Sequence, residues 1–332
     1  MKWEKVKLGE LYEVHNGLSK AGKFFGEGYP FLTFSTVFNN YFIPKQITDL
    51  VQSTEKEQES YSIRRGDVFV TRTSETSDEL GMSCVALKDY PMATYNGFTK
   101  RMRPITNRVL PEYIGYYMRL PSFRGEFRAF STMTTRASLR NEDLLGLEVK
   151  LPSIEIQKQI ADILSAYDDL IENNQRQIKL LEEAAQRLYK EWFVDLRFPG
   201  HENTKIVDGV PEGWRISSIY DVFDIKYGKN LPTSKITKAG QYPVYGASGV
   251  IGYYNEKNCD DYATLVTSRG NGSGDVFRTH HKQSYVTNNS FIARRNDKNS
   301  FIENEFTFQL FSNTDFKKLC TGSAQPQLTN TS

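Results

Sequence analysis

The clearest periodicity of apolar and polar positions lies in the middle of the chain. From about Ser153 to Phe193 the sequence SIEIQKQIADILSAYDDLIENNQRQIKLLEEAAQRLYKEWF contains no Gly, and Pro152 sits just ahead of it. Good helix formers dominate, so the stretch predicts one long helix. Apolar residues recur at Ile156, Ile160, Ile163, Tyr167, Ile171, Ile178, Leu181, Ala185, Leu188 and Trp192. The steps alternate between three and four apart from a slip between Tyr167 and Ile171, and Asn174 fills the position between Ile171 and Ile178. This is a coiled-coil seam with one stutter and one polar register residue. Some 40 residues would make a rod of roughly 60 Å. Packing on a flanking domain would cover part of the stripe, but a helix of this length outruns one small domain. A partner helix is therefore expected along Ile160, Ile163, Tyr167, Ile171, Asn174, Ile178, Leu181 and Leu188.

The regions on either side of the helix are strand-rich and resemble each other. Trp3 precedes Leu8 by the same five positions that separate Trp214 from Ile219. Leu11-Tyr12-Glu13-Val14 with Asn16-Gly17 is answered by Val222-Phe223-Asp224-Ile225 with Gly228. Later, Tyr95-Asn96-Gly97-Phe98 and Arg101-Met102-Arg103 are set against Asn288-Asn289-Ser290-Phe291 and Ala293-Arg294-Arg295. An aromatic-rich helical stretch follows in each half, then a small hydroxyl-rich segment: 132–141 in the first, 321–330 in the second. The expected architecture is α+β: two similar mixed α/β domains, 1–150 and 199–332, separated by a coiled-coil-type helix over 151–198. Asn141 leads through LLGLEVKLP into the helix, whereas Ser332 follows the equivalent Asn330 by two residues. On this reading a second strand and second long helix are missing, and the chain is truncated.

Composition narrows the class. Hydrophobic residues make up 39% and charged residues 25%, as in ordinary globular proteins. The net charge of +2 rules out a polycation, so a nucleic-acid binder would have to concentrate its positive charge locally. Cys84, Cys259 and Cys320 lie far apart and form neither a zinc signature nor a disulfide framework. The N-terminus lacks an apolar signal region and no run is long enough for a membrane span, so a soluble, cytoplasmic protein is expected, with no cofactor and no metal.

These features together resemble the specificity subunits of type I restriction-modification systems. LPSIEIQKQIADIL (151–164) is similar to the family's proline-led entry into its spacer helix, and TGSAQPQLTN (321–330) is the second diagnostic piece. WFVDLRFPGHE (192–202) and VPEGWRISSI (210–219) are similar to the link into the second domain. The resemblance implies a non-catalytic subunit in which each domain reads one half of a bipartite double-stranded DNA target. It further implies that the helix spaces the half-sites and docks two methyltransferase subunits, with restriction subunits joining later. With one spacer helix present, the seam could instead pair with the same helix of a second chain.

A half-site reader needs phosphate contacts for position and base contacts for specificity. Arg72, Thr73 and Ser74 follow the apolar strand 66–70, and Ser268, Arg269, Asn271 and Ser273 follow 262–266. Arg can bond guanine bidentately, while hydroxyls and Asn suit phosphate or adenine. Lys20 and Lys23 with Phe24, and Lys229 and Lys235 in the corresponding loop, are further candidates, as are Lys100, Arg101 and Arg136. A strand sends neighbours to opposite faces, so about half of the strand cations should miss DNA.

Enzyme readings are weaker. Gly270-Asn271-Gly272-Ser273-Gly274 lacks the following helix and the Lys-Ser/Thr of a phosphate loop. Asp143, Glu148 and Lys150 mimic nuclease spacing but read better as a strand edge, and His280-His281 has no ligand partner at metal spacing. The competing class is a coiled-coil adaptor whose end domains bind protein or carbohydrate, served by aromatic loops such as Tyr242-Pro243-Val244-Tyr245.

Overall fold

The computed structural model describes residues 3–74, 79–129, 137–322 and 326–329. It divides into two compact units, Met1–Asn173 and Asn174–Ser332, and the division falls inside the long helix.

In the first unit an antiparallel sheet runs in the order Tyr12–Asn16, Thr99–Pro104, Val68–Thr71, Ser83–Val85. A smaller sheet sets Phe25–Leu32 between Leu50–Val51 and Thr94–Tyr95, the last pair parallel. Every residue of Val68–Thr71 is buried because the larger sheet is covered on both faces. Val68, Val70 and Met102 join Leu8, Leu11, Ile114, Phe123 and Phe127 in one core. Phe69 and Cys84 point the other way, into a second core with Leu32, Ile63 and Tyr95.

The second unit repeats this plan. Its larger sheet runs Phe223–Tyr227, Ser290–Arg295, Thr264–Thr267, Val276–Arg278, and its smaller one Val250–Tyr254, Tyr242–Tyr245, Tyr285–Val286. Phe223, Val266, Phe291 and Phe311 form one core, while Tyr245, Leu265 and Val286 form the other. Leu8 and Ile219, the expected aliphatic anchors, each begin a short helix.

Strand register corrects part of the expected correspondence. Tyr12 pairs with Pro104 and Phe223 with Arg295, while Val68 pairs with Met102 and Thr264 with Ala293. Arg103 therefore corresponds to Arg294, and Phe98 to Asn289 rather than to Phe291. Matching the two phenylalanines by type misleads, since Phe291 is a core residue and Phe98 is exposed. The loop match, Thr71 with Thr267, agrees with the register.

Glycine marks the tightest point of each unit. A Cβ on Gly17 would lie 2.1 Å from the Asn96 carbonyl oxygen, and one on Gly228 would lie 2.2 Å from that of Thr287. Both are backbone atoms, so neither can swing aside as a side chain would.

The long helix runs from Ile154 to Tyr189, 36 residues, and ends in a π-helical turn, Lys190–Val194. At about 1.5 Å per residue the α-helical part is roughly 54 Å long. In the first unit, Gln157 anchors its start. Its side chain donates to the carbonyls of Arg108 (2.9 Å) and Pro152 (3.0 Å) and accepts from the Leu110 N–H (2.9 Å). In the second unit, Tyr189 and Phe193 pack on Phe306, and Arg278 bridges Glu182 (2.8 Å) and Glu305 (2.6 Å).

Gly17→Ala and Gly228→Ala are each expected to destabilise the protein by at least about 2 kcal/mol, as overpacking against fixed backbone does. Scanning calorimetry checks this, and an unchanged unfolding midpoint for either variant would contradict it.

Candidate nucleic-acid interface

Each unit gathers its loop ends at one place, and backbone hydrogen bonds hold them there. In the first unit the Leu18 N–H donates to Tyr95 O (2.8 Å), Asn96 N–H to Leu32 O (3.0 Å) and Gly97 N–H to Leu18 O (2.8 Å). Arg72 N–H donates to Phe98 O (3.0 Å), and Leu139 N–H to Arg72 O (2.9 Å). In the second unit Lys229 N–H donates to Val286 O (3.0 Å) and Thr287 N–H to Tyr245 O (3.0 Å). Ser268 N–H donates to Asn289 O (2.8 Å), and Leu328 N–H to Ser268 O (2.9 Å). The bonds at Arg72 recur one for one at Ser268, so the same chain crossing is built twice.

The candidate residues divide by what surrounds them. Arg72 is half-buried beside this crossing, and among the described residues its guanidinium has no ion-pair partner. Thr73 and Ser74 form a short strand paired with Ala137–Ser138. Arg269 and Asn271 are exposed on the equivalent loop of the second unit, with Arg269 bridged to Gln327. Lys23, Lys229 and Lys235 are exposed as well. The exposed ones among them can meet a polyanion without disturbing the fold.

Other candidates are occupied by the fold. Lys100 is buried, donating to Asn16 Oδ1 (3.3 Å) and to Asn141 Oδ1. Burial, and then the nearby Arg72 guanidinium, hold its ammonium below the usual lysine value. Arg101 is buried over Tyr95 and donates to Ser62 O (2.8 Å). Lys20 pairs with Glu57 (2.8 Å) and donates to Gln52 O (2.6 Å). Ser268 and Ser273 are buried, their hydroxyls donating to Asn288 O (3.2 Å) and Pro326 O (2.6 Å). Arg136 lies outside the described residues, as do Asn330 and 75–78.

The equivalent arginines of the two sheets also turn inward. Arg103 makes a two-pronged contact with buried Asp67 (2.6 and 2.8 Å), which raises its already high pKa, while Arg294 donates to the Cys259 thiol (2.6 Å). Glu148–Leu151 pairs with Glu4–Lys7, the strand edge expected there. His281 faces the Tyr245 hydroxyl (2.9 Å).

Along the helix, Ile163, Tyr167, Ile171, Asn174, Ile178, Leu181 and Leu188 are exposed, Leu181 to 69%. Ile160 differs, because it packs against the first unit's own core. Asp168 accepts from the Tyr116 hydroxyl (2.7 Å), which ties the helix flank to that unit. Among the described residues no helix is long and apolar enough to cross a membrane.

Two copies of one mixed α/β scaffold joined to a long helix define a class of repeat-built, two-unit proteins. The model of the type I restriction modification DNA specificity domain matches residues 1–183 and 211–332, and the chain belongs to that family. It is 28% identical over 241 residues to the type I restriction enzyme MjaIX specificity subunit of Methanocaldococcus jannaschii, covering 70% of this chain and 54% of that protein. It is 27% identical over 200 residues to the HindI specificity subunit of Haemophilus influenzae, covering 58% and 41%. The chain thus spans about half the length of relatives it matches. The crystal structure of a type I restriction-modification S subunit from M. genitalium shares its fold, with a TM-score of 0.52 at 16% identity over 90% of this chain and 74% of that one.

Proposed function

We propose that this chain is the non-catalytic DNA-specificity subunit of a type I restriction-modification complex. Each unit reads one half of a bipartite duplex target with its gathered loop ends. The observation that carries the reading is the duplicated crossing at Arg72 and Ser268: Arg72, with no ion-pair partner among the described residues, stands at it in the first unit, and exposed Arg269 stands one position beyond it in the second. Arginine at a rigid loop suits both phosphate and guanine, and the buried strand cations are left to structural work. The long helix spaces the half-sites and docks methyltransferase subunits, with restriction subunits joining the larger assembly. Its exposed apolar stripe supports pairing with another helix, including that of a second copy.

Duplex binding should weaken steeply with salt. Arg72→Ala and Arg269→Ala should each lower affinity and flatten the log–log salt slope by about one, the effect of losing one phosphate contact. Arg101→Met should lower stability and leave the slope unchanged. Fluorescence anisotropy across a salt series checks both statements, and salt-independent binding would favour the adaptor alternative instead.

Self-pairing through the stripe predicts a dimer in sedimentation velocity at high concentration, converted to monomer by Ile171→Asp with Leu181→Asp. A wild-type monomer under those conditions would contradict it.

A further inference from the structure

Phe98 stands out at the gathered end of the first unit. The residue is 59% exposed, yet its backbone is fixed on both sides. The Phe98 N–H donates to Asn96 Oδ1 (2.7 Å), and its carbonyl accepts the Arg72 N–H (3.0 Å). The neighbouring Gly97 lies so close to the 16–20 loop that a Cβ there would meet Ser19 Oγ at 2.3 Å. A lone exposed apolar residue is ordinary on a protein surface. This one is held rigidly beside an arginine with no ion-pair partner among the described residues, where a flexible loop would let the ring fold back.

The register gives the second half of the argument. Asn289 occupies the same place in the second unit, where its carbonyl accepts the Ser268 N–H as that of Phe98 accepts Arg72. One scaffold therefore offers an aromatic ring in one unit and a carboxamide in the other. In the DNA major groove these chemistries read different bases: an apolar ring suits the thymine methyl, and an Asn amide bonds adenine bidentately.

We infer that Phe98 and Asn289 are a matched pair of specificity-determining residues, Phe98 contacting a thymine methyl in one half-site and Asn289 an adenine in the other. The inference rests on the DNA-reading function proposed above. Within it, positions 98 and 289 decide a base while Arg72 and Arg269 supply attraction.

The test is selection of duplexes from a random pool by the full chain, co-expressed with a methyltransferase subunit of the family. The wild type should select a motif with a fixed thymine in one half and a fixed adenine in the other. Replacing that thymine by uracil should weaken wild-type binding about fourfold, the worth of one buried methyl group. Phe98→Ala should lose the discrimination between thymine and uracil, Phe98→Leu should keep it, and Asn289→Ala should lose about tenfold at the adenine. Variants that keep the wild-type preferences, or a motif with no fixed thymine, would overturn the inference and leave the DNA-reading function standing. A wild-type chain that selects no duplex would overturn both.

Discussion

The gathered ends of both units depend on a backbone approach too close for any side chain. At Gly17 and Gly228 the chain passes against the carbonyl of Asn96 or Thr287, where a Cβ would sit about 2 Å away. That approach lets Leu18 and Lys229 donate their N–H groups across to Tyr95 and Val286. Those bonds fix the segments carrying Phe98 and Asn289, which in turn receive the N–H groups of Arg72 and Ser268. Side chains at these ends can then vary without moving the backbone. A scaffold of this kind can carry two different sets of exposed side chains.

The second constraint is that each larger sheet is covered on both faces. Strand residues that would alternate between core and water in a one-sided sheet are buried on both sides here, from Val68 to Thr71 and from Thr264 to Thr267. Cations on the neighbouring strands must find partners inside the protein. Lys100 finds two asparagines, Arg101 a carbonyl and a ring, Arg103 a carboxylate. The exposed candidates Lys23, Lys229, Lys235, Arg269 and Asn271 lie outside the strands.

Much of this was legible in the sequence. The duplication showed in the Trp-to-aliphatic spacing and in paired glycines, because a close backbone approach admits no other residue. The helix showed in its periodicity, and the exposure of Ile171, Ile178 and Leu181 agrees with a stripe that the flanking unit does not cover. Ile160 was misread because the seam's first turns serve the first unit's core, and periodicity does not tell a partner helix from a domain. The fate of Lys100 and Arg101 was also hidden, since alternation predicts two faces but not that both are covered. Phe98 entered only as a marker of the repeat, and its match to Phe291 concealed that one ring is outside and the other in the core.

The proposed function requires each unit to read its half-site on its own, with a backbone that does not change when its contacts do. The most direct measurement is methylome sequencing of cells that express the chain with methyltransferase subunits of the family, comparing wild type with Asn289→Ala. The account predicts a bipartite motif in the wild type, with one half relaxed and the other intact in the variant. The absence of a motif in the wild type, or equal relaxation of both halves in the variant, would contradict it.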